Sequence, residues 1–321
     1  MAKIVDWDGH IGRRLRLRDL RVFFTVVQHG SLSRAAAHLR VSAPAVSQVI
    51  AELENTLGAK LFDRNSRGVE PTVYATALLS RGRAAFDELK QGIQEIESLI
   101  DPEVGEVRIG CTTPVMETLL PDFIHRFSQR YPQVVLHVED APRFGFDLSS
   151  LRARKYDLIM GRVATSLAND PRLVDLNSEI LFHDQLIIAA GVQSRWARRR
   201  NIELAELINE RWILTPTDSW NYQGLVETFR AAGLDLPPAS LVTFAGTLAT
   251  YMLANGPYLM ALPRSMLRRP PHNTALKQLP IQLPDRPWPV AIGTLKGRTL
   301  SPAVHRFISF CREAARAYDK Q

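Results

Sequence analysis

The chain has 321 residues, 45% of them hydrophobic and 23% charged, which is ordinary for a globular protein and long enough for two domains. No apolar run reaches the roughly 20 residues of a membrane-spanning helix, and the opening stretch, with Asp6, Asp8 and His10, lacks the apolar centre of a secretory signal. The two cysteines, Cys111 and Cys311, exclude a disulfide scaffold and a cysteine-rich zinc site, and they suit the cytoplasm.

The net charge of +7 is unevenly spread. Residues 1–70 carry eleven Lys/Arg against seven Asp/Glu, whereas residues 71–102 carry three against five. A basic segment followed by an acidic one fits a nucleic-acid reader on a dimer stalk, although solubility alone also accounts for a modest positive charge.

The first predicted helix runs from about Leu17 to Gln28, with Leu20, Phe23, Phe24 and Val27 on one face. Gly30 ends it, because glycine accepts the left-handed conformation cheaply. Ser31 caps a second helix whose Ala35, Ala36 and Leu39 face inward; the alanines leave room for a steep helix crossing. After the corner Arg40-Val41-Ser42, Ser42 is a good N-cap and Pro44 falls in the first turn of a third helix. That helix turns Val46, Val49, Ile50, Leu53 and Leu57 inward. Its other face begins with Ala43, Ala45, Ser47 and Gln48, short or amide side chains able to approach base edges and phosphates; Gln48 is of the type that pairs bidentately with adenine. Two short helices at a tight corner define a helix-turn-helix, whose second helix enters a DNA major groove. Residues 61–72 then read as a two-stranded wing with Arg64 and Arg67 near its tip, placed for phosphates or a narrow minor groove. An ordinary hairpin with solvated charges is the plain alternative.

Over residues 17–76 the chain resembles the winged helix-turn-helix of LysR-type transcriptional regulators. The matching positions include Leu20 to Phe24, Gly30-Ser31, Ala35-Ala36, Leu39, Val41-Ser42, Pro44-Ala45, Ser47, Ile50, Leu53-Glu54, Leu57-Gly58, Leu61-Phe62, Arg64 and Thr72. The resemblance implies DNA contacts from Ser33, Arg34, Ser42, Pro44, Ser47 and the wing arginines, and residues 1–71 as the DNA-binding domain. The chain departs from the family pattern at Ala43, where glutamine is usual, and at Gln48 and Ala51-Glu52, where basic residues are frequent.

Thr72 is the expected N-cap of a long helix over residues 72–101. Its apolar positions Ala75, Leu79, Gly82, Phe86, Leu89, Ile93, Ile96 and Ile100 alternate in steps of four and three, a coiled-coil seam. Packing on its own domain is one use of that seam. Dimerisation through Leu79, Phe86, Leu89, Ile93, Ile96 and Ile100 is the favoured one, since a dimer sets two recognition helices on successive turns of DNA.

Asp101-Pro102 breaks the helix, and residues 102–321 alternate strands and helices, the pattern of parallel α/β sheets with covering helices. Ligands of such sheets bind beyond the carboxyl ends of strands, near helix N-termini that favour anions. Hydroxyls gather there at Thr112 and Thr113, at Thr215, Thr217 and Ser219, and at Gly246-Thr247. Singly each is a helix cap; together they suggest one cleft. This half resembles the LysR family's two-lobed effector domain, itself similar to periplasmic solute-binding proteins. The resemblance implies a lobe of residues 104–163 and 269–321, a second of 164–268, and an effector between them. Its candidate ligands to the effector are Thr112, Thr113, Pro114, Phe144, Arg162, Thr215, Ser219, Phe244 and Thr247, with Arg162 as a carboxylate partner. The positive charge of this half weakly favours an organic acid.

The expected partners are thus double-stranded DNA as an interrupted inverted repeat, a small anionic effector, and a second or further copies of the chain; RNA polymerase is a candidate fourth, and no membrane, cofactor or metal is implied. An enzyme is disfavoured, because nucleophile elbow, dinucleotide fingerprint and paired metal-binding histidines are all missing. A redox regulator would need a reactive Cys111; a small core cysteine is the plainer reading.

Overall fold

A computed structural model describes residues 14–65, 68–101, 103–141, 148–162, 174–268, 272–281, 283 and 288–319. The chain forms two compact units, Met1–Lys90 and Gln91–Gln321.

In the first unit α1 (Leu17–His29), α2 (Leu32–Leu39) and α3 (Ala43–Leu57) precede a hairpin of β1 (Phe62–Asn65) and β2 (Gly68–Pro71), then α4 (Val73–Ile100). The caps expected at Gly30, Ser31, Ser42 and Thr72 are present, and Gly58 adds another. Gly30 and Gly58 close α1 and α3 in the left-handed conformation. The Ser31 hydroxyl accepts the Arg34 N–H, and the Ser42 hydroxyl accepts the Ala45 N–H at 3.3 Å. Phe23, Val26, Ala35, Ala36, Val46, Ile50 and Leu53 form one core with Leu61, Phe62 and Val69 of the hairpin. Thr72 caps α4 by accepting the Ala75 N–H and donates to the Lys60 carbonyl.

The α4 seam divides. Ala75 and Gly82 are buried and Leu79 packs against the core just described. Phe86 meets Phe24 edge-on at 5.3 Å. A Cβ on Gly82 would lie 2.8 Å from the Phe24 ring, so glycine here allows α4 to cross α1 closely. Leu79 and Phe86 therefore spend their apolar surface on their own domain, a correction to the seam expected from spacing. Leu89, Ile93, Ile96 and Ile100 stay exposed by 49–81%, with Leu99 beside them.

The second unit has two five-stranded sheets. The first has the order β4-β3-β5-β12-β6, from β3 (Gly105–Thr112), β4 (Val134–Ala141), β5 (Leu158–Arg162), β6 (Leu176–Asp184) and β12 (Trp288–Leu295). The second has the order β11-β7-β10-β8-β9, from β7 (Leu186–Gly191), β8 (Arg211–Leu214), β9 (Ala239–Val242), β10 (Tyr258–Pro263) and β11 (Leu276–Gln278). Covering helices are α5 (Thr113–Thr118), α6 (Leu120–Arg130) and α7 (Leu148–Arg152) before β5, α8 (Trp220–Ala231) and α9 (Gly246–Asn255) around β9, α10 (His272–Ala275) before β11, and α11 (Pro302–Asp319) at the end.

Two expectations need correction. The sheets are mixed rather than parallel: β12 runs antiparallel to β5 and β6, and β7 antiparallel to β10 and β11. The lobe boundaries also move. Residues 176–184 pair with β12 and so belong to the first lobe, while residues 276–278 pair with β7 and belong to the second. The chain enters the second sheet at Asp184-Gln185, and each lobe lends its sheet the strand that flanks a crossover. The first lobe's core runs from Val107 and Phe123 to Phe307 and Cys311, and the second lobe's is built around Trp212 and Phe229.

Candidate functional site

The exposed end of α3 carries the residues expected to read DNA. Val46, Ile50 and Leu53 are buried on one side, and Ser42, Pro44, Ala45 and Gln48 are exposed on the other, as are Ser33 and Arg34 of α2. Ser47 is half-buried, and Ala43 packs partly against the core, so Ala43 offers less surface than its position in sequence suggests. The Gln48 amide donates to the Glu52 carboxylate at 2.9 Å, which holds it parallel to the helix axis. Arg64 lies in β1 opposite Val69; its side chain, and Arg67 entirely, lie outside the described residues.

Two contacts fix the wing against these helices. Buried Glu54 on α3 accepts the backbone N–H groups of Leu61 (2.8 Å) and Phe62 (3.3 Å) and the Lys60 ammonium (2.8 Å). Burial alone would favour the neutral acid, but the Lys60 and backbone donors outweigh it and hold the Glu54 carboxyl below the usual range. On the other strand, the Val69 N–H donates to the Gly30 carbonyl at 3.1 Å. Gly68 has φ +137°, and a Cβ there would lie 2.3 Å from that same oxygen. Sequence reading matched Glu54 as a motif position but missed its role; the signal was an acid on the inward face beside Ile50 and Leu53.

In the second unit the expected cleft residues separate into two groups. Thr112 is buried at the end of β3 against Gly161, and Pro114 lies in the first turn of α5. The Thr113 hydroxyl donates to Asp140 at 3.0 Å. Beside them Glu117, unforeseen from sequence, reaches across to the other lobe and accepts the N–H of Gly246 at the start of α9. A Cβ on Gly246 would fall 1.8 Å from the Glu117 carboxylate, so any other residue there would displace that side chain. Burial, seconded by the Asp140 charge, raises the Glu117 pKa despite that hydrogen bond. Thr247 is exposed on the next residue and Phe244 is half-buried two residues before. Glu117 follows Thr113 by four positions and so shares its helix face, which was the available signal.

Thr215 and Ser219 do not join this group in an open way. Both are buried, their hydroxyls lie 2.5 Å apart, and Ser219 caps α8 through the Tyr222 N–H. Their hydroxyls complete a helix start, the plain reading of such residues. Arg162 is partly engaged: its Nε and Nη1 are buried without a hydrogen-bond partner among the described residues. One terminal nitrogen donates to Asp184 (2.5 Å) and Ser265 (3.3 Å), with the guanidinium and carboxylate both nearly buried. Asp184 also accepts the Ser265 hydroxyl (2.6 Å) and the N–H groups of Gln185 and Ser265, so this knot sits where the chain crosses between lobes. Phe144 lies outside the described residues. Cys111 and Cys311 are buried free thiols, and burial pushes both pKa values up, Cys111 further so by Asp140; thiolate chemistry is thereby suppressed.

A winged helix-turn-helix joined by a long helix to a two-lobed α/β domain defines a DNA-binding regulator with a ligand domain. Residues 17–76 match the bacterial regulatory helix-turn-helix protein, lysR family, and residues 101–316 match the LysR substrate binding domain. The chain belongs to the LysR family of transcriptional regulators. Among curated relatives, the transcriptional dual regulator GltC of Bacillus subtilis is 29% identical over 303 residues, covering 92% of this chain and 96% of GltC. The HTH-type transcriptional regulator GbpR of Azospirillum brasilense is 27% identical over 307 residues, covering 94% and 87%. The fold is shared with the solved LysR family regulator CbnR, at TM-score 0.62, 20% identity and coverage of 94% and 99%, and with CbnR complexed with its target DNA, at TM-score 0.53, 21% identity and coverage of 94% and 100%.

Proposed function

We propose that this LysR-type regulator binds an interrupted inverted repeat as a homodimer or a dimer of dimers, and that an organic acid bound between its two lobes changes its grip on DNA. The observation that carries the DNA half is the two-sided α3: buried Val46, Ile50 and Leu53 against exposed Ser42, Pro44, Ala45 and Gln48. Ser33, Arg34, Ala43, Ser47, Arg64 and Arg67 complete the proposed contact set. The wing carries two arginines in four residues, Arg64 and Arg67, suited to the flanking minor groove. The proposed dimer seam is Leu89, Ile93, Ile96 and Ile100, the exposed half of the α4 stripe.

For the effector, we infer that a ligand carboxylate competes with Glu117 for the N-terminus of α9. An intramolecular carboxylate already rests there, and the helix dipole favours negative charge at that point. Thr113, Thr247 and Phe244 border the position. Proposed boundaries are residues 1–71 for DNA binding, 72–101 for the connecting helix and 102–321 for the effector domain. A cytoplasmic regulator without enzymatic activity, engaging RNA polymerase at the promoter, is consistent with this reading.

The test is a melting-temperature screen of anionic, neutral and cationic metabolites against the full chain, repeated on Glu117→Ala. A ligand that binds the folded form raises the melting temperature. The reading expects at least one acid to do so, and more strongly once Glu117 is removed. Stabilisation only by neutral or cationic metabolites would overturn the anionic assignment.

A further inference from the structure

A cavity of about 180 Å³ opens beside the Asp184 knot, lined by Phe182, His183, Arg264, Ser265, Arg268 and Tyr318 together with Asp184 and Gln185. It shares no lining residue with the Thr113, Glu117 and Gly246 group. Asp184 brings little net negative charge to this space, because Arg162 neutralises it and its oxygens are taken by Arg162, Ser265 and Gln185. The guanidinium groups of Arg264 and Arg268 also line it. Arg264 donates to the neutral Gln185 side chain at 2.9 Å and has no acidic partner among the described residues. Arg268 is held over the Tyr318 ring at 4.2 Å and donates to the Ala317 carbonyl, which fixes its orientation at the rim.

Forked guanidinium donors bind planar or tetrahedral oxyanions through paired charge-assisted hydrogen bonds. The cavity holds on the order of six water volumes, room for an ion of about five to eight heavy atoms. We propose that this pocket is a second ligand site, centred on Arg264, that binds a small oxyanion, with the chemistry shared by phosphate and short dicarboxylates. Its lining comes from the crossover at Asp184-Gln185, from the turn Arg264–Arg268 after β10, and from α11 of the first lobe. An ion there bridges segments of both lobes beside the crossover, so its occupancy and lobe geometry are linked.

The experiment is calorimetric titration of the full chain with sodium phosphate and, separately, sodium malonate, against sodium chloride at matched ionic strength. Saturable binding at one site per chain by either ion is expected; which ion binds identifies the source of the oxyanion. Arg264→Ala should weaken it at least tenfold, and Arg264→Lys, which keeps charge but loses the fork, should weaken it less. If Arg264→Ala does not fold, Arg264→Gln carries the same expectation. Absence of saturable binding by both ions would overturn the proposal. So would an affinity unchanged in Arg264→Ala, or one that follows Thr113→Val instead.

Discussion

The carboxylate of Glu117 in one lobe accepts the backbone N–H of Gly246 in the other, at a point where a single added methyl would collide with it. The contact is a carboxylate on a helix N-terminus, and it joins the two lobes. Because burial raises the Glu117 pKa, the folded protein holds this proton more tightly than the unfolded chain. Stability from this group is therefore lost as pH rises from the ordinary glutamate value of 4.5 through the raised one. Glu117→Gln keeps an acceptor for Gly246 without the charge. Its melting temperature, minus that of the wild type, should grow as pH rises above 4.5 and level off once the raised value is passed. Parallel curves would contradict the assignment.

Glu54 behaves with the opposite sign. Its carboxyl lies below the usual range, so its contribution is present above the ordinary value of 4.5 and is lost as pH falls through the depressed one. Glu54→Ala strands the buried Leu61 and Phe62 N–H groups, at a cost of about 1–3 kcal/mol for a buried unsatisfied donor. Chemical denaturation at pH 7 and at pH 3 checks this: the variant should be clearly less stable at the higher pH, and the difference should shrink at the lower.

Gly68→Ala tests the wing's docking on the turn between α1 and α2. The added methyl would meet the Gly30 oxygen at 2.3 Å with the backbone at φ +137°, so strand and turn must part. Amide exchange at Val69 should accelerate at least tenfold, and DNA affinity should fall while the α1–α3 core still melts cooperatively.

Much of this was legible in the amino-acid sequence because it depends on local chemistry. Ser31, Ser42, Gly30 and Gly58 announce helix ends through side-chain hydrogen bonding and left-handed backbone, and each does so here. Strand β6 is hard to read from sequence because its Asn177, Ser178 and Glu179 are polar and its pairing with β12 slips at Val290/Ala291, which breaks simple alternation. Without β6 the first lobe boundary falls too early. Thr215 and Ser219 are ambiguous in sequence because a hydroxyl at a strand end serves a helix cap and a ligand equally well; here they bond to each other at 2.5 Å and Ser219 caps α8. The α4 stripe gave its period correctly but not its partners; a seam packed on Phe24 and one left exposed read alike.

That exposed half supplies a further expectation. Ile93 and Ile96 are 58% and 59% exposed, and burial of each on a partner helix contributes about 1.5–3 kcal/mol. Ile93→Asp combined with Ile96→Asp should convert the oligomer to monomer in analytical ultracentrifugation, with little change in the melting of either domain. An oligomer that survives both changes would place the interface elsewhere.

The most direct measurement is fluorescence anisotropy of the full chain on a duplex from the upstream region of its own gene, repeated with Ala45→Asp at the exposed start of α3. The wild type should bind with a steep salt dependence, and the variant should lose at least tenfold in affinity while keeping its melting temperature. Equal affinity of the two proteins, or no binding by the wild type at low salt, would contradict the assignment of α3 as the DNA-reading helix.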